Sequence, residues 1–308
     1  MTKFLVFGHR NPDTDAIGAA IALAQLESAR GTDAEAVALG PPNNETRYAL
    51  EFFGLEAPRV IERAGPETTD VMLVDHNERQ QSVADIAELR VHQVVDHHRI
   101  ANFETTAALW FRAEPVGCTC TILHRMYAER QVAIPRDTAG IMVSAIISDT
   151  LLLHSPTTTD DDRRAAADLA RIADIDLDHY GTALLRAGTA LDDAPASTLI
   201  ARDAKTYVMA ATTVRVAQIN TVDPAEILDR RAEFLIAMRT ELGDAGYDLF
   251  LLLITNVFTC DSDVLVVGEP VDAVERAFNV VFDDAHAFVP GLVSRKKQVV
   301  PPLTAQLE

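Results

Sequence analysis

Residues 3–24 read KFLVFGHRNPDTDAIGAAIALA. Lys3 to Gly8 is short and apolar, the pattern of a buried strand, and Ile17, Ala20, Ile21 and Ala24 then recur at helical spacing. Gly31 stands where a helix C-terminus favours a residue without a β-carbon. A buried strand passing through a short loop into a helix is the repeating unit of a parallel sheet, and the pattern continues downstream. It predicts strands at 35–39, 71–74, 91–95 and 106–111, and helices at 45–53, 82–89, 119–130, 137–147, 160–172 and 177–187. The fold expected for this half is α/β, a mostly parallel sheet with helices on both faces.

Residues 186–197, RAGTALDDAPAS, are rich in small side chains and include a glycine and a proline, which marks a junction. We read one domain over 1–187, a linker at 188–196 and a second domain over 197–308. The second is expected to be a smaller α+β domain, with strands at 204–210 and 213–220 and a long helix at 224–242. A hairpin should follow, its strands 249–257 and 264–267 flanking Cys260-Asp261-Ser262-Asp263.

A chain of 308 residues, 48% hydrophobic and 24% charged, has room for two cores and excludes disorder, collagen and coiled coil. The net charge of -19, with neither half basic, argues against a nucleic-acid or anionic-membrane partner. No apolar run approaches the roughly 18 residues of a membrane span. The start MTKFLVFGHR enters a strand without a signal-peptide layout, so the expected location is cytoplasmic. Cys118, Cys120 and Cys260 read as reduced thiols. A zinc site on Cys118 and Cys120 would want further ligands, and although His124 follows, the segment reads as apolar helix.

Chemistry concentrates where the parallel strands end. Gly8-His9-Arg10-Asn11-Pro12-Asp13-Thr14-Asp15 follows the first strand, Asp75-His76-Asn77-Glu78 the third, and Asp96-His97-His98 the fourth. Pro12 keeps the first cluster out of the helix, so His9, Asp13 and Asp15 project from a bent loop. Ligands of open parallel sheets sit at these carboxyl ends. Asp149, in Ser148-Asp149-Thr150, closes an apolar helix, where an anion opposes the helix dipole and calls for a cation. One such residue alone is usually a cap or a turn former; four clusters on one edge are not.

Two imidazoles (His9, His97) and four carboxylates (Asp13, Asp15, Asp75, Asp149) suit two divalent ions. Mn²⁺ fits best, with Co²⁺, Zn²⁺ and Mg²⁺ as alternatives. The charges then cancel, leaving a cluster able to hold a bridging hydroxide and a phosphoryl oxygen, and a polyanionic substrate needs positive charge from elsewhere. Of 27 basic residues only Lys3, Lys205, Lys296 and Lys297 are lysine. Ser294-Arg295-Lys296-Lys297-Gln298 is a basic run in an acidic domain, and Lys205 stands in an apolar strand. The plainer explanation makes Arg295 to Lys297 an edge-strand gatekeeper and Lys205 a surface charge, and the scarcity of lysine elsewhere weighs against it.

GHRNPDTD, VDHN, VVDHH, SDT and SRKKQ, in this order, resemble the manganese-dependent (family II) inorganic pyrophosphatases of the DHH phosphoesterase superfamily over the whole chain. The resemblance implies an active site in the interdomain cleft of a homodimer's subunit. It implies two Mn²⁺ per subunit (Co²⁺ as a substitute) sharing Asp75, with His9 and Asp13 completing one site and Asp15, His97 and Asp149 the other. His98, Lys205, Arg295 and Lys296 would hold pyrophosphate, with Asn77 and Lys297 less defined, and a further Mg²⁺ would arrive with the substrate. Arg10 and Ala16 stand where the pattern suggests Lys and Ser; neither is a ligand. The implied reaction is a one-step in-line attack by a hydroxide bridging both metals, with Asp75, His98, Lys205, Arg295 and Lys296 as the catalytic set.

The rivals are related phosphoesterases acting on short polyphosphates or oligonucleotides, and a metal sensor without catalysis. The oligonucleotide enzymes typically carry a GGGH-like motif, and this chain has no two adjacent glycines. Neither G-x-x-x-x-G-K nor any G-x-G occurs, which excludes P-loop and dinucleotide readings.

Overall fold

The structure is a computed structural model that describes residues 3–189 and 194–308. The chain divides into two compact units between Gly188 and Thr189. Of the linker expected at 188–196, residues 190–193 lie outside the described residues.

The first unit contains β1 (Phe4–Phe7), α1 (Thr14–Ala29), β2 (Ala34–Ala36), α2 (Asn44–Phe53), β3 (Asp70–Val74), β4 (Arg90–Asp96), β5 (Trp110–Ala113), α3 (Thr119–Glu129), α4 (Arg136–Thr150), α5 (Asp160–Ala173) and α6 (Leu177–Thr189). The five strands form one sheet in the order β2-β1-β3-β4-β5, every pair parallel. α1 packs on β1 and β3, α3 on β4, and α4 and α5 build a helical layer around them. Leu5, Phe7, Val71, Leu73 and Val94 form a buried apolar cluster that Val83, Ile86, Leu89 and Phe103 help to cover.

Two expectations shift here. The helix predicted at 82–89 is replaced by 3₁₀ turns at Arg79–Gln81 and Ile86–Glu88. Buried Asp85 spends its carboxylate on the backbone N–H groups of Ala64 (3.2 Å) and Gly65 (2.9 Å), tying the segment to a distant loop. The fifth strand begins at Trp110 rather than 106, because Phe103 and Leu109 instead pack against the apolar cluster.

The second unit contains α7 (Ala196–Arg202), β6 (Ala204–Met209), β7 (Thr212–Thr221), α8 (Ala225–Leu228), α9 (Arg231–Ala245), β8 (Leu249–Asn256), β9 (Asp261–Gly268), α10 (Val271–Phe278), β10 (His286–Val289) and α11 (Val300–Leu307). Its sheet runs β10-β9-β8-β7-β6, antiparallel except for the parallel pair β7 and β8. The expected hairpin is β8 and β9, closing at Asn256 opposite Asp261. The helix expected over 224–242 is interrupted between α8 and α9. Arg230, in non-helical backbone geometry, donates there to the Ala194 carbonyl (2.9 Å) and to Glu233. Among the described residues no helix is long and apolar enough to cross a membrane.

The turn from β1 into α1 is unusually close. A β-carbon on Gly8 would stand 2.5 Å from Ala16 Cβ and 2.7 Å from Ala16 Cα. Gly8→Ala should therefore force strand and helix apart and cost about 1–3 kcal/mol. Thermal unfolding of the metal-free protein checks this, and unchanged stability would contradict the close packing.

Candidate metal centre

Each cluster is placed by the end of an element. Asp13 caps α1, its carboxylate accepting from Ala16 N–H at 2.9 Å, while Asp15 lies in the first helical turn and is fully buried. Asp75 follows β3 immediately, its N–H still bonded to Val95 O at 2.9 Å. Its φ of 58° turns the chain left-handed and takes the carboxylate off the strand. His97 and His98 follow β4, and Asp149 sits in the last turn of α4.

Asp75 is the hub. Its Oδ2 lies 3.3 Å from His9 Nε2, its Oδ1 3.3 Å from His97 Nε2 and 3.6 Å from His98 Nδ1. His9 Nε2 is also 3.4 Å from Asp13 Oδ2, and His97 Nε2 is 3.9 Å from Asp149 Oδ2. Two sets of ligand atoms converge to within 4.8 Å of one another, His9 with Asp13 and Asp75, and Asp15 with His97 and Asp149. All six candidate ligands are thus gathered in the first unit. His98 joins Asp75 and His97 in a further such set.

The donor chemistry fits divalent ions. His9 donates its Nδ1–H to the Arg10 carbonyl (2.9 Å) and His97 its own to the Val116 carbonyl (3.1 Å), so Nε2 is the nitrogen each ring turns to the carboxylates. Metal-free, the charges conflict. Burial, with the Asp75 charge beside it, pushes Asp15 up to about 7, and burial with Asp15 and Asp75 pushes Asp149 well above its ordinary value. Burial opposes charge on His9 and His97, yet hydrogen bonds that the charged ring donates to Asp13 and Asp75 lift His9 to about 11, and Asp75 likewise lifts His97 to about 9. Asp75 is held below the usual carboxylate range, because its two imidazole partners outweigh burial. Dications at this point would replace those protons. The thiols of Cys118 and Cys120 also converge on Asp15. Burial raises both, so they stay protonated and offer a cation little.

Asp96 is a residue that sequence reasoning left without a role. Fully buried, its Oδ1 accepts from His98 N–H and Nδ1–H, both at 3.0 Å, and its Oδ2 from Asn77 Nδ2 at 2.7 Å. Asn77 also bonds Arg99 O and Ala101 N–H, so it braces the chain after β4. The signal was its place directly before the two histidines. His76 is buried, its Nδ1 on Val74 O, and it lines a cavity of about 270 Å³ together with His9, Asp75, Asn77, Glu78 and His98.

The cations belong to the second unit. Lys205 is exposed on β6, paired across the sheet with Val216. Arg295 donates Nη1 to Asp203 O (2.6 Å) and to Val216 O (3.3 Å), and pairs Nη2 with the Asp203 carboxylate, so it is anchored beside the strand that carries Lys205. Gln298 fixes this basic turn by accepting from Val293 and Ser294 N–H, both at 3.0 Å. The side chains of Lys296 and Lys297 lie outside the described set.

Comparison with known proteins matches residues 3–146 to the DHH family, N-terminal domain, and residues 182–306 to the DHHA2 domain. An Enterococcus faecalis protein named probable manganese-dependent inorganic pyrophosphatase is 59% identical over 304 residues, 99% of each chain. A Lactobacillus helveticus protein of the same name is 56% identical over 310 residues, covering both chains fully. Among solved structures, a Methanococcus jannaschii protein assigned to the family II inorganic pyrophosphatases aligns with TM-score 0.63 and 35% identity over 98% of this chain and 99% of its own. An exopolyphosphatase-related protein from Bacteroides fragilis shares the fold at TM-score 0.53 and 12% identity, over 99% of this chain and 91% of that one. Identity of this extent along the whole length, together with the DHH and DHHA2 domains in sequence, makes the chain a member of the manganese-dependent (family II) inorganic pyrophosphatases.

Proposed function

We propose that this protein hydrolyses inorganic pyrophosphate to two phosphates at a pair of Mn²⁺ ions. The single observation that carries the reading is Asp75, a buried carboxylate with one oxygen turned to His9 and the other to His97. His9, Asp13 and Asp75 would hold one ion, and Asp75, Asp15, His97 and Asp149 the second. Bound there, such a pair lowers the pKa of water enough to give a nucleophile at neutral pH and draws charge from the phosphoryl oxygens.

The chain's own residues do the rest. The carbonyls of Arg10 and Val116 accept the Nδ1 protons of His9 and His97, which leaves Nε2 as the nitrogen turned to each ligand set, able to bind an ion once its own proton is displaced. Asp96 fixes the His98 ring through Nδ1, so that Nε2 can meet a phosphate oxygen. Lys205, Arg295 and Lys296 of the substrate-binding domain (197–308) supply positive charge to the diphosphate and to the leaving phosphate, while the domain over 1–187 holds the metals. A homodimer, a cytoplasmic setting and Mg²⁺ delivered with the substrate belong to the same proposal. The net charge of -19 repels a free polyanion, so magnesium pyrophosphate is the form encountered.

Phosphate release by chelator-stripped protein tests the reading. Mn²⁺ should activate strongly over Mg²⁺ alone, and the initial rate should follow magnesium pyrophosphate rather than the free anion. Absence of release under both conditions, or faster release from triphosphate, would overturn it. Asp75→Asn should lower kcat by more than about 100-fold, beyond the usual effect of an outer-shell change. Lys205→Ala should cost about 10- to 100-fold in kcat/KM, the range expected for one lost charged hydrogen bond. Asp96→Asn should cost about 10- to 100-fold in steady-state activity while Mn²⁺ uptake by calorimetry stays near wild type.

A further inference from the structure

α3 begins without a side-chain cap of its own: its N-cap is Cys118, whose thiol makes no capping bond. The first N–H groups of a helix have no partner within it. Here they point at a residue more than a hundred positions away. Thr119 N–H donates to Asp15 Oδ2 at 2.6 Å and Cys120 N–H to Asp15 Oδ1 at 3.1 Å. The same Thr119 donates its hydroxyl to Asp75 Oδ1 at 3.1 Å. Thr119 is fully buried, as is Asp15, and Asp75 is nearly so.

Each carboxylate oxygen has more than one acceptor site, so these bonds leave capacity for an ion. They do restrict rotation. Asp15 belongs to one candidate ligand set, and Asp75 to the other while also reaching His97. One small residue at the start of one helix therefore touches both sets, Asp15 through its backbone N–H and Asp75 through its hydroxyl. The hydroxyl is a neutral donor among imidazoles and carboxylates, so it can orient Asp75 without competing with a cation for charge.

We propose that Thr119 is a positioning residue that fixes the Asp75 carboxylate relative to Asp15 and so sets the register of the two metal ions. This rests on the two-metal reading above. Thr119→Val keeps the shape and both backbone N–H bonds to Asp15 but removes the bond to Asp75, whereas Thr119→Ser keeps that bond. Mn²⁺ titration of stripped protein by calorimetry, with electron paramagnetic resonance to detect coupled Mn²⁺ pairs, separates them.

The expected result is two ions for the wild type, affinity for at least one ion lowered about 10- to 100-fold in Thr119→Val with a weaker coupled signal, and near-wild-type binding in Thr119→Ser. If Thr119→Val does not fold, Thr119→Ala removes the same hydroxyl and carries the comparison. Wild-type uptake of two ions with unchanged affinity and coupling in the hydroxyl-free variant overturns the role of Thr119 alone. Wild-type protein that takes up no Mn²⁺ overturns the metal reading and this inference with it.

Discussion

Everything in the first unit is arranged around a carboxylate that cannot be left alone. Asp75 is almost fully buried, and an unpaired charge at that depth would be very costly. It is instead met from both sides by imidazoles, from a third direction by the Thr119 hydroxyl, and it stands at a left-handed backbone position that turns it out of the sheet. The parallel sheet is what makes this meeting possible. With β1, β3 and β4 side by side, the residues following each strand reach one edge together.

The outer layer of the site comes mainly from backbone. Carbonyls of Arg10 and Val116 set the two imidazoles, and the N–H groups of Thr119 and Cys120 hold Asp15. Backbone donors depend on the path of the chain and not on side-chain identity. The site's precision is therefore inherited from how α1 and α3 pack on the sheet, including the close seat of Gly8 against Ala16.

The alternation of strands and helices, the parallel class and the gathering of His9, Asp13, Asp15, Asp75, His97 and Asp149 were legible because the first depends on hydrophobic period and the last on strand ends. What stayed hidden depended on long-range bonds. Asp85 looks helical in its own window and is claimed by a loop about twenty residues earlier, and the break at Arg230 comes from a carbonyl on α7's approach. Asp96 had only its place before the two histidines to mark it, and Thr119 carries no spacing signal that separates a positioning role from an ordinary buried polar residue. What their oxygens touch is decided by the folded chain, Asp96 meeting His98 and Thr119 meeting Asp75.

The anchoring of Arg295 has a consequence for which sequences can fill this role. Two of its nitrogens already tie the start of β6 to β7, through the carbonyls of Asp203 and Val216 and the Asp203 carboxylate. Lysine carries the same charge on a single nitrogen with three donors and no planar fork, so it cannot hold both carbonyls and the carboxylate in the same geometry. At this position the shape of the side chain counts as well as its charge, and the two basic residues, interchangeable on most surfaces, are not equivalent here.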